Sequence, residues 1–150
     1  MRLEKASDRA IKYACLNFHY AKKVPAGASF SFSCFNEDGD WCGIVMFGYP
    51  PSPSIAKQHG LKNGQLYELR RVALNGNQSS TSKYISFAIK LFKKRIPLCK
   101  LLVSWADTKQ NHTELFIKQR IGFTVGQIVR VQNIYLMVFG DTARQKHLLG

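Results

Sequence analysis

Acidic residues are scarce in this chain of 150: nine Asp and Glu stand against 22 Lys and Arg, a formal net charge of +13. Such an imbalance favours a polyanionic partner, because each Lys or Arg that neutralises a phosphate releases counterions. A basic surface that serves solubility, or an acidic protein partner, is the alternative. Long hydrophobic runs are also missing. The longest apolar stretch, Trp41 to Phe47, is far too short to span a bilayer. The N-terminus, MRLEKASDRAIKYACLNF, carries charges throughout and has no apolar core, so a signal peptide or anchor is not expected. A soluble, cytoplasmic protein is the expectation. Cysteines are few, and Cys15, Cys34, Cys42 and Cys99 show no C-x-x-C spacing. They read as small buried hydrophobes rather than zinc ligands, and no metal site is predicted. The chain lacks repeats, a P-loop, G-x-S-x-G and H-E-x-x-H. Its length suits one domain.

What is present alternates between strand and helix patterns. Asp8 to Tyr20 has Ala10, Ile11, Ala14, Cys15 and Phe18 at helical spacing, with Asp8 suited to the N-cap. From Ser29, serines alternate with Phe30, Phe32 and Cys34, the period of a half-buried strand. Glu37 to Asp40 reads as a turn, and Trp41 to Phe47 as the second arm of a hairpin. Tyr49 to Gly64 reads as a loop, and Leu66 to Leu74 as a third strand. The polar turn Asn75 to Ser82 feeds a helix from Thr81 to Arg95. There Ile85, Ala88, Ile89 and Phe92 form one face, and Lys83, Lys90, Lys93 and Lys94 lie opposite. Lys83, Lys90 and Lys94 are candidates for nucleic-acid contact, against the plainer reading of a solvated face. Leu101 to Ala106 completes the pattern as a fourth strand, giving an α/β (α+β) arrangement.

Four places hold chemically capable side chains. His19-Tyr20 closes the first helix, where an imidazole could move protons and a phenol could donate. Glu68-Leu69-Arg70-Arg71 puts charges into a strand that should be buried. Strand alternation assigns Glu68 and Arg70 to one face, Leu69 and Arg71 to the other. Arg71 is the better candidate for gripping a phosphate or carboxylate. Ser104-Trp105-Ala106-Asp107 ends a hydrophobic strand on a carboxylate, where ligands of open sheets gather, and His112 follows. The turn before the second helix offers free N–H groups to a phosphate. In GNAT acetyltransferases this turn cradles the pyrophosphate of coenzyme A. Here Ser79, Ser80 and Ser82 replace the usual glycines.

Together ACLNFHYAKKVPAG, WCGIVMFG, YELRRVAL and LLVSWADTKQNH resemble, in order and spacing, the Mom-like DNA-modification proteins of bacteriophages. The resemblance covers about residues 10 to 113. It implies a GNAT-like fold, a mixed, largely antiparallel sheet flanked by helices. It also implies conversion of adenine in double-stranded DNA to an N6-carbamoylmethyl derivative, in the host cytoplasm, as a shield against restriction. Tyr20, Arg71 and Asp107 become candidate active-site residues, with His19, Ser104 and His112 behind them. Asp107 would act as base or orienter, Arg71 as anion clamp and Tyr20 as hydrogen-bond donor. Acetyl-CoA or iron enters as a cofactor only through this resemblance. A GNAT acetyltransferase acting on protein or small molecule, and a non-catalytic DNA-binding module, remain open.

After Asn111-His112 the resemblance breaks. The family continues with a segment close to IYQATNWIYTG, whereas this chain reads ELFIKQRIGFTVG. Joining the third base of each codon to the first two of the next, from the Thr113/Glu114 junction, permits GIIYQATNWIY. Tyr135 to Thr142 can similarly be re-read as FNGVWRY. Residues from about Glu114 are therefore expected to be an out-of-frame tail. Ile117 would stand where the family has a tyrosine, strands or helices completing the core would be lost, and activity would be weak or absent.

Overall fold

The computed structural model describes residues 1–27, 29–105, 127–131 and 134–138. Within them run β1 (Arg2–Lys5), α1 (Asp8–Asn17), β2 (Ser29–Phe35), β3 (Trp41–Gly48), α2 (Ser54–Gln58), β4 (Leu66–Leu74), α3 (Thr81–Arg95), β5 (Leu101–Trp105), β6 (Gln127–Val131) and β7 (Ile134–Val138). The described strands form one sheet of seven, in the order β1-β2-β3-β4-β5-β7-β6. Its pairings are antiparallel except that between β4 and β5, which is parallel. This is the mixed, largely antiparallel sheet flanked by helices that the sequence led us to expect.

Alternation along the strands sends side chains to two differently covered faces. Phe32, Cys34, Val45, Phe47, Tyr67, Leu69 and Leu102 meet Tyr84, Ile85, Ala88, Ile89 and Phe92 of α3 on one face. Phe47 and Phe92 stack there with centroids 4.5 Å apart. On the other face Ile44, Met46 and Ala73 pack under Ile11, Ala14 and Cys15 of α1. Leu66, Leu101 and Val103 pack with Ala56 of α2 and Leu61. Two serines of β2, Ser31 and Ser33, do not reach solvent as a half-buried strand would have them but are buried on the face that α1 covers. All four cysteines are buried and free, as expected of small core residues.

Several boundaries differ from the sequence reading. Ser7, not Asp8, caps α1: its Oγ accepts the Ala10 N–H at 3.2 Å, and Asp8 becomes a first-turn anion at the positive helix end. That helix stops at Asn17, short of Tyr20. The stretch from Tyr49 to Gly64 contains the short α2, and β1 had no sequence signal beyond four residues. Lys93 is not part of a solvated stripe, because its ammonium folds back onto the Pro97 and Cys99 carbonyls. Within the tail, the described residues form two strands. The aliphatic segments QIVRV and IYLMV pair with each other, and β7 extends the sheet from β5.

Candidate active site at the split between the parallel strands

The only parallel pairing in the described sheet is short. Leu66, Tyr67 and Glu68 face Leu101, Leu102 and Val103; beyond them Ser104 and Trp105 pair with β7. The two parallel strands thus part after Glu68, and Arg70 and Arg71 follow one residue further on. At the same level β4 bulges against β3. Glu68 pairs with Gly48 and Leu69 with Phe47, whereas Met46 pairs with Arg71. Arg70 is the extra residue.

That bulge corrects the facing expected from simple alternation. An inserted residue shifts the two-residue period by one. Arg71 therefore shares the face of Met46 and Ala73, beneath α1, with Glu68 and not with Leu69. Arg70 lies on this face too, over Gly48, where a Cβ would come within 2.5 Å of its Nε. Three charged side chains are gathered on one side of the sheet by one extra residue.

Arg70 is fully engaged with its own protein. Its Nη1 donates to the Ala26 carbonyl and its Nη2 to the Tyr49 carbonyl, both at 2.8 Å, and its Nε lies 3.4 Å from Glu68 Oε2. Burial nonetheless pushes the Glu68 carboxyl above its ordinary value, against the pull of Arg70 and Arg71. Arg71 is different. Its Nη1 donates to the Arg70 carbonyl at 2.9 Å, while its Nε is buried without a hydrogen-bond partner. Among the described residues it makes no ion pair.

His19 follows the C-terminus of α1, buried at 9% exposure. Its Nδ1 accepts the Ala21 N–H at 3.1 Å, which leaves the neutral ring's proton on Nε2. Burial, then the charges of Arg71 and Lys22, lower its pKa to about 4. The imidazole is therefore a neutral Nε2–H donor near pH 7, not the neutral-pH proton mover expected from the sequence. Tyr20 is exposed, its ring 4.4 Å from that of His19. His19 thus feels the charge of Arg71 at the end of α1, with Tyr20 beside it on the exposed side. Ser104 is buried, but strand alternation places it with Leu102 on the α3 face, away from Arg71. Asp107 and His112 lie outside the described residues. Sequence reasoning missed the roles of Arg70 and Gly48; the adjacent Glu-Leu-Arg-Arg charges were a signal, but the bulge that arranges them had none.

The turn before α3 does not fit a coenzyme A pyrophosphate. Ser80 is the N-cap yet makes no side-chain capping bond; its Oγ pairs with Ser82 Oγ at 3.0 Å. Ser79 Oγ donates to the Glu37 carboxylate at 3.4 Å, which sets a negative charge beside the place a diphosphate would occupy. Among the described residues no three His, Cys, Asp or Glu side chains gather as iron ligands would. No step is therefore assigned to either group. Lys83, Lys90 and Lys94 are exposed on α3, across the sheet from Arg71. On Arg71's own face, a cleft of about 460 Å³ at the start of α1 is lined by Lys5, Arg9, Tyr13 and Trp41 among others.

Residues 1–116 match the Mom protein family. The chain belongs to that family. The Mom match spans α1, the bulged β4 and the strand split, so the geometry above is that of a Mom family member. Two solved structures share its architecture at low identity. Tetrahymena GCN5 is 9% identical with a TM-score of 0.53, covering 93% of this chain and 97% of its own. TofI in an apo form is 11% identical with a TM-score of 0.53, covering 99% and 96%. These likenesses show the GNAT fold. No curated protein matches the chain. Among the described residues no helix is long and apolar enough to cross a membrane.

Proposed function

We propose that this Mom family protein is a DNA-modifying transferase that converts adenine in duplex DNA to an N6-carbamoylmethyl derivative, and so shields phage DNA from restriction. The observation that carries the reading is Arg71, a partly buried guanidinium with an unpartnered Nε and no ion pair among the described residues. A cation in that state costs stability unless an anion comes to it. Its fork suits a carboxylate or phosphate on the incoming group or substrate.

Around that anchor each residue has a limited task. Neutral His19 offers Nε2–H to an oxygen of the transferred group. Tyr20, exposed beside it, orients or stacks against the base. Asp107 is assigned the role of base or orienter at the exocyclic amine. The restriction-evading role gives a direct test. DNA from cells expressing the chain with its reading frame restored after Thr113 should resist restriction enzymes whose sites contain adenine. The Arg71→Met form should leave DNA fully cleavable. Equal cleavage with and without the protein would defeat the proposal.

A further inference from the structure

Two adjacent arginines on one face invite the assumption that both grip the substrate; their surroundings divide the work. The segment between α1 and β2 carries His19 and Tyr20. Several of its own hydrogen bonds are local: Ala21 N–H to His19 Nδ1, Lys22 N–H to the His19 carbonyl, and Lys22 Nζ to the Asn17 carbonyl. Lys22 takes a left-handed φ of 50°, so the turn after His19 is a tight one. The Arg70 guanidinium joins this segment, at Ala26, to the end of β3, at Tyr49, and to Glu68 within its own strand. Gly48 makes the crossing possible, since any Cβ there would meet the Arg70 side chain at 2.5 Å. Gly27, at φ 90°, follows Ala26 beside the guanidinium, where a Cβ would lie 3.8 Å from Arg70 Nη1.

We propose that Arg70 is a positioning residue: its fork holds the α1–β2 segment against the sheet so that His19 and Tyr20 face Arg71, which alone is left to take the anion. The inference rests on the site assignment above, but its mechanical part does not depend on what the site modifies.

Amide hydrogen exchange on the full chain, with NMR titration of His19, tests it. Arg70→Met should raise exchange over residues 19–27 roughly tenfold or more, the scale of a lost charge-assisted hydrogen bond. The amides of α3 should change little. His19 should titrate upward, from about 4 toward its ordinary 6.5, as water reaches the ring. Gly48→Ala should do the same with Arg70 still present, and decides the matter if Arg70→Met does not fold. Arg70→Lys should restore only part of the protection, because one ammonium cannot reproduce the planar fork. Arg71→Met should leave exchange of the segment within about twofold, since it donates to no part of it.

The proposal is overturned if Arg70→Met and Gly48→Ala leave residues 19–27 protected. It is equally overturned if Arg70→Lys matches the parent, or if protection is lost evenly through α3. Loss of segment protection together with unmodified DNA from the frame-restored parent would sustain the staple and reject the DNA-modification reading instead.

Discussion

Arg71 adds to the depression of the His19 pKa, and its share can be measured. The cation lowers the histidine's pKa after burial has done so, so Arg71→Met should move the His19 titration upward while the fold persists. Removing an unpaired, partly buried charge should also leave stability unchanged or improved, even as activity disappears. A lower melting temperature with activity retained would contradict both. His19 further makes stability depend on pH. Its folded pKa lies near 4, below the 6.5 of the unfolded chain, so the unfolded state binds the extra proton between those values. Stability is highest above about 6.5 and falls as pH drops toward 4, by about 2–3 kcal/mol from this group. Urea midpoints across that window, compared with His19→Gln, isolate the contribution; parallel curves would refute it. Burial also pushes the Cys34 and Cys99 thiols up to about 12, so neither should react with a thiol reagent until the chain unfolds.

Secondary structure followed the sequence where periodicity was long and regular. Helix α3 runs from Thr81 to Arg95 as read, because Ile85, Ala88, Ile89 and Phe92 leave a single face to bury. Hairpin β2–β3 was equally legible from the alternating serines and the Glu37–Asp40 turn. Short elements escaped, since four residues in β1 and five in α2 carry too little pattern to distinguish from loop. The facing of Arg71 escaped for a different reason. A bulge is a property of two paired strands, and nothing in YELRRVAL announces which residue of β4 has no partner. The same geometry bears on the proposed binding of duplex DNA. Charge along the chain favours α3, but Arg71, His19 and the cleft with Lys5 and Arg9 lie on the α1 face. Reversing Lys5 and Arg9 should therefore weaken DNA binding by roughly tenfold or more at moderate salt and lower its salt dependence by about two phosphate contacts. Reversing Lys83, Lys90 and Lys94 should matter less. Fluorescence anisotropy with a short duplex checks this, and the opposite ranking would place the DNA on α3.

Family membership and most of the basic charge coincide over the same stretch. Residues up to 113 carry seventeen basic and seven acidic side chains, +10 of the total +13, and the match to the Mom family extends to residue 116. The remaining segment still supplies strands β6 and β7. We hold to the proposal that it is read out of frame, and gene sequence decides it: the codons from Thr113 onward must permit GIIYQATNWIY in the shifted reading, and a single incompatible codon in that run rejects it. Residue types alone singled out His19, Tyr20 and Arg71; in the structure the charge of Arg71 reaches His19, and Tyr20 lies against the His19 ring. Ser104 shows the limit, because a strand's sequence names its residues without saying which face the neighbours will cover.

The most direct measurement is mass spectrometry of nucleosides from DNA of cells expressing the frame-restored chain, its Arg71→Met and Arg71→Lys forms, and the chain as it stands. The account predicts an altered deoxyadenosine from the restored chain, none from Arg71→Met, and a much reduced amount from Arg71→Lys, which keeps the charge and loses the fork. Unmodified adenosine from the restored chain, or undiminished modification without Arg71, would contradict it.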